Sequence, residues 1–258
     1  MSLQAVALER YPLPEQQVVA SILAQHAGLP EPVAAKLAGR ATGIVWENAP
    51  PAAASAVARA LAAQGFPART IAQSCVPTIG VPRRVHVLKI DGEHLGIPLK
   101  YNGPPELVAW NDVLVISCGA FQTETTRKVE TETHLIHGEV VSDERVQVDV
   151  TRSIVADLFA VPLANRSQLV HVRLSSHEFN YALTLGSTIH ESWREKFAVL
   201  VAKLGLRAER ALISPQTEAL LAAGMSPQNC EVNSYFDSDD QFAAYNRWLV
   251  ARARAGNL

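Results

Sequence analysis

The chain has 258 residues, of which 48% are hydrophobic and 19% charged, with a formal net charge of -2 and a pI near 6.4. That length carries one large domain or two modest ones with a real core. The near-neutral balance excludes both a global basic field for nucleic acid and an acidic solvating tail, so no nucleic-acid partner is expected.

Cys75, Cys118 and Cys230 are far apart and lack CxxC spacing. They read as buried free thiols of a reducing compartment, not as a disulfide framework or zinc site. The opening MSLQAVALERYPLPEQQ lacks the basic-then-apolar order of a signal peptide. Alanine fills eight of the twelve positions from Ala52 to Ala63, but Ser55, Arg59 and Gln64 interrupt the run. A membrane span needs about 18 apolar residues, so a cytoplasmic protein with no membrane partner is expected.

In chain order, LQAVALE alternates like a strand. EQQVVASILAQHAGL places Val18, Val19, Ile22, Leu23 and His26 on one helical stripe. PEPVAAKLAG gives a second short helix, with Val33 and Leu37 expected to face inward and Gly39 to stop it. GIVW reads as a strand. Pro50 and Pro51 stand where a helix begins, because a first-turn proline loses no hydrogen bond. Val57 and Leu61 share a face of that helix, Gly65 ends it, and ARTIA resumes an extended pattern. The order β-α-α-β-α-β implies a small sheet covered on one face by helices.

This order resembles the C-terminal domain of bacterial ribosomal protein L7/L12 over residues 3–73. Gly28, Leu29, Ala34, Leu37, Val45, Ala54, Val57, Leu61 and Gly65 stand at matching, mostly structural positions. The basic residues with which that family binds translation factors are replaced, at Ser21 and Ala24 among others. The resemblance therefore implies a protein-binding scaffold without the ribosomal role.

CVPTIGVPRR, residues 75–84, has two prolines, a glycine and no helical stripe, and reads as a linker between residues 1–74 and a second unit, 85–258. In that unit Asp91-Gly92 marks a hairpin turn and Asn111-Asp112 a turn before a buried strand. Residues 122–146 are polar and read as an exposed loop or hairpin, and SQLVHVRLSS reads as another strand. Three helices are expected later: one with Trp193, Phe197, Leu200, Val201 and Leu204 on a face; one capped by Ser214 with Pro215 in its first turn; and one with Phe242, Tyr245, Trp248 and Leu249 on a stripe. Asp237, Asp239 and Asp240 suit the dipole at the start of the last. The expected class is α+β: a βααβαβ unit, then a mainly antiparallel β domain with C-terminal helices. The hairpin series with a late helix resembles pleckstrin-homology-like folds; no site residue is carried over from them.

No GxGxxG, P-loop, GxSxG or HExxH pattern is present. In ETETHLIHGE, the metal-ligating candidates are His134, His137 and Glu139, which converge only across a bend, because a strand sends His134 and His137 to opposite sides. The bland reading of that stretch is a solvated strand. His171, Arg173 and Ser175 lie on one strand face, either an anion-binding contact or a wet sheet surface. Cys118 lies in an apolar run and reads as a core thiol. Arg83 and Arg84 open a strand whose edge suits an extended acidic peptide.

With no catalytic residue and no cofactor indicated, the sequence leans away from an enzyme. It points to an accessory protein that binds a peptide or protein through Arg83, Arg84, His171 and Arg173, as a homodimer. The Ala-, Arg- and Pro-rich composition is similar to that of bacterial accessory proteins that hold precursor peptides in the biosynthesis of ribosomally made, modified peptides (RiPPs). The alternative is a hydrolase or metal-dependent enzyme using His134, His137 and Glu139.

Overall fold

A computed structural model describes residues 2–10, 14–39, 41–99, 103–134, 140–186, 192–230 and 235–256, with backbone alone over 123–134 and 140–151. The first unit has the predicted order: β1 (Gln4–Leu8), α1 (Gln16–Ala27), α2 (Glu31–Ala38), β2 (Ile44–Ala49), α3 (Pro51–Ala63) and β3 (Ala68–Ala72). Its sheet runs β2-β1-β3 with both pairings antiparallel. Gly28 ends α1 in the left-handed conformation, φ 66°, where a side chain would be strained. Pro51 opens α3 with Pro50 still extended. The three helices bury Val19, Ile22, Leu23, Ala34, Ala38, Val57 and Leu61 against Val6, Leu8 and Val45. In α2 the inward residues are Ala34 and Ala38, whereas Val33, expected to point inward, is 45% exposed. Small side chains on that face bring the helix close, and Gln16 Nε2 donates to Ala35 O across the α1–α2 contact.

The second unit starts inside the stretch read as a linker, with β4 (Arg83–Arg84). A meander follows: β5 (Lys89–Ile90), β6 (His94–Pro98) and β7 (Pro105–Ala109), antiparallel in that order. The predicted Asp91 turn is present: Asp91 Oδ1 accepts from the N–H groups of His94 and Glu93 at 2.6 and 2.9 Å. These two bonds hold its carboxyl below the ordinary aspartate range.

Next come β8 (Val113–His134) and β9 (Val140–Ala160), paired antiparallel from Val113 opposite Ala160 to His134 opposite Val140. Within the polar stretch read as an exposed loop or hairpin, residues 122–134 and 140–146 are therefore antiparallel strands that, among the described residues, pair beyond Gln122 only with each other. Then follow β10 (Val170–Ser175), α4 (Tyr181–Leu185), α5 (Trp193–Arg207), β11 (Leu212–Ile213), α6 (Pro215–Ala222), β12 (Tyr235–Phe236) and α7 (Asp239–Arg254). Ser192 and Glu195 form a capping box on α5, and Ser214 caps α6. The large sheet runs β11-β8-β9-β10-β4, with β12 also on β8. Among the described residues no helix is long and apolar enough to cross a membrane.

The period-2 alternation of β8, β9 and β10 gives this sheet two apolar faces. Ile116, Cys118, Ile154, Ala156, Leu158, Val172 and Leu174 pack under α5, α6 and the meander. Val115, Val155 and Phe159 pack against α7, whose far side meets Ala5, Ala7 and Ile71 of the N-terminal sheet. Helix α7 thus lies between two sheets, and one core joins the N-terminal unit to the rest. Two glycines make room for it. A Cβ on Gly119 would sit 2.9 Å from Phe242, and one on Gly43, at φ 109°, would sit 2.4 Å from the Trp248 ring. Trp248 Nε1 donates to Leu8 O at 2.8 Å, and Arg247 grips both Glu47 oxygens while its Nε donates to Pro77 O.

Candidate functional site

A lone carboxylate in the apolar run IVADLFAV organises the middle of the sheet. Asp157, on β9, is fully buried. Burying a charge without partners is costly, so neighbours must supply donors. Arg173 lies across from Asp157 in the β9–β10 register and gives two parallel bonds, Nε to Oδ1 at 2.7 Å and a terminal nitrogen to Oδ2 at 2.8 Å. His171 Nε2 and Asn246 Nδ2 reach the same Oδ2, each at 2.9 Å. The remaining Arg173 nitrogen donates to Asp239 Oδ1 at 2.7 Å, at the first turn of α7. Burial pushes the Arg173 guanidinium down, but the bonds and charges of Asp157 and Asp239 outweigh it, and the net direction is up. His171 stacks on Phe159 with 4.2 Å between ring centroids, and its Nδ1 faces Gly80 O at 3.1 Å. Both ring nitrogens thus face protein oxygens, and the ring is held within the network.

Arg173 and Asp239 of this network line two adjoining surface hollows. The larger, about 430 Å³, includes Arg84, Ser153, Arg173, Ser175, Glu178 and Asp237 in its lining. The other, about 340 Å³, includes Arg84, Gly80, His171, Arg173, Asp239 and Asp240. Both fall in the size range of ligand pockets. They share Arg84, Arg173 and Asp239, so together they form one groove along the α7 side of the sheet.

Three of the four residues singled out for peptide binding, Arg84, His171 and Arg173, therefore meet in this groove. Arg83 does not. Register places Arg83 beside Val172 and Arg84 beside Arg173, on opposite faces. Arg83 instead pairs with Glu106 of β7 at 2.8 Å. A doublet inside a strand splits in this way because successive side chains alternate. The roles also differ. His171 and Arg173 are buried and committed to Asp157, whereas the Arg84 side chain is exposed and makes no hydrogen bond or ion pair among the described residues.

Strand β4 is the edge of its sheet, as the sequence suggests, but that edge is two residues long. Pro82 precedes it, and beyond it His86 O accepts from Asn180 N. Main-chain strand addition has little length there. Asp157 and the acidic residues of the groove wall were missed from sequence as site residues. The signal for Asp157 was its charge in an otherwise apolar strand.

Of the metal candidates, His134 is the last residue of β8, and His137 and Glu139 lie outside the described residues. Among the described residues no three His, Cys, Asp or Glu side chains converge as a metal site. Cys118 is a core residue, and burial pushes its thiol up to about 12. It is expected to resist iodoacetamide in the folded protein at pH 8, while the half-buried Cys75 and Cys230 react first. Peptide mapping after timed alkylation checks this; early labelling of Cys118 would contradict it.

Comparison of the chain with protein-family models, with curated proteins and with solved structures gives no match.

Proposed function

We propose that this protein is a non-catalytic accessory protein that binds a peptide or protein segment in the groove centred on Arg84. The observation that carries the reading is a free, exposed guanidinium where two hollows adjoin, beside Arg173, which a buried carboxylate holds in place. Rigid support beneath an open polar surface reduces the ordering cost of binding. The surrounding hydroxyls and carboxylates supply orientation. A helix-covered N-terminal unit, welded to the groove through α7, supports a scaffold role. A precursor peptide of a modified-peptide pathway is the partner proposed, with the protein acting as a homodimer in the cytoplasm.

The test is a fluorescence-polarisation titration of the purified protein against peptides encoded beside its gene. Salt-sensitive binding is expected, weakened about tenfold by Arg84→Glu and little changed by Arg83→Glu. Equal loss from both variants, or none from Arg84→Glu, would remove the groove from the reading.

A further inference from the structure

The groove does not carry one sign of charge. Arg84 stands at the junction of the two hollows. Glu178 and Asp237 line the first, and Asp240 lines the second. All four side chains are exposed, and among the described residues none makes a hydrogen bond or ion pair. Asp239 differs because it is already bound to Arg173, and Arg173 to Asp157. The charges left for a ligand therefore run negative, positive, negative along the groove.

Resting on the proposed binding role, we infer that the groove selects an extended peptide in which one acidic side chain lies between basic ones. The acidic residue pairs with Arg84. A basic residue on one side reaches Glu178 and Asp237, and one on the other side reaches Asp240. An extended chain turns every second side chain to the same face, so such a segment presents all three charges to the groove together. A purely acidic peptide, the natural match for an arginine doublet, meets Glu178, Asp237 and Asp240 and is repelled. A purely basic one buries Arg84 against like charge. Like-charge contacts of this kind exclude wrong partners more strongly than matching ones tighten the right partner. Two hollows of about 430 and about 340 Å³ share Arg84, which leaves a separate place on each side for the basic side chains of a peptide.

The experiment is selection of random twelve-residue peptides by phage display on the immobilised full chain, repeated on Arg84→Glu, Asp237→Lys and Asp240→Asn. These positions are exposed, and circular dichroism verifies that each variant is folded. Enriched peptides are expected to carry an Asp or Glu flanked by Lys or Arg, with affinity falling about tenfold on Arg84→Glu. Asp237→Lys is expected to remove the preference for a base on one flank only. Enrichment of uniformly acidic, uniformly basic or apolar peptides would overturn the charge order and leave the binding role standing. Failure to enrich any peptide above an unrelated control protein would overturn both.

Discussion

Asp157→Ala is expected to cost about 3–5 kcal/mol of folding stability. The carboxylate is fully buried and accepts four hydrogen bonds, two of them from Arg173. Without it the Arg173 guanidinium stays in the core with only Asp239, whose side chain is 65% exposed, as a counter-charge. His171 and Asn246 lose an acceptor at the same time. Removing both charges is a different experiment. Asp157→Leu combined with Arg173→Met leaves no uncompensated ion and is expected to recover much of the loss, since a buried pair offers little over apolar residues of similar volume. Urea unfolding followed by circular dichroism measures both. A single-variant loss below about 1 kcal/mol, the scale of an ordinary hydrogen bond, would mean that the carboxylate does not balance a buried charge.

Trp248→Ala is expected to cost a further class of stability, about 3–5 kcal/mol, by opening a cavity where the two units meet. The indole is fully buried, lies against Gly43 and donates to Leu8 O. Its loss takes a packing block from α7, which touches both sheets in the shared core. The distinguishing readout is local. Trypsin is expected to cut after Arg83 or Arg84 in the variant faster than in the parent, because the segment between the units loses its support. Trp248→Phe keeps most of the ring volume and loses the N–H bond, so its cost is expected nearer 1 kcal/mol. A Trp248→Ala protein with the parent's melting temperature and cleavage pattern would show that the units are held together elsewhere.

The element order was legible because its punctuation is local. Pro50-Pro51, Gly28, Asp91 with Gly92, and Ser214-Pro215 each act within a few residues through fixed φ, left-handed backbone or a capping oxygen. The side of β10 that carries His171, Arg173 and Ser175 was legible for the same reason, since alternation needs no tertiary information. What lay beyond sequence reading depends on which faces meet. The stripe Phe242, Tyr245, Trp248, Leu249 was visible, but α7 also buries Asn246, Val250, Ala251 and Ala253. Burial around so much of a helix means apolar neighbours on two sides. The second neighbour was hidden because the alternation of LQAVALE and ARTIA shows that Ala5, Ala7 and Ile71 share a strand face but not which distant helix covers it. Asp157 was passed over because an apolar run with one charge still reads as a buried strand. Arg83 and Arg84 were read as a doublet because their separation appears only once both are known to lie in β4.

The position of α7 also sets an order of events during synthesis. The chain is made from its N-terminus, so β1 to β4 and β8 to β10 are synthesised before residues 239–254 exist. Until then Ala5, Ala7 and Ile71 on one side, and Val115, Val155 and Phe159 on the other, have no cover. The helices α1 to α3 can close over their own face of the first sheet meanwhile, since that core is built from residues 6–61. The second face must wait for a contact that spans most of the chain: Trp248 to Leu8. Long-range closure of this kind is slow and leaves apolar strands open to wrong partners while it is pending. For this protein the interval between translating Ala160 and translating Trp248 is therefore the period of greatest exposure to aggregation, and the stage at which a chaperone has most to protect.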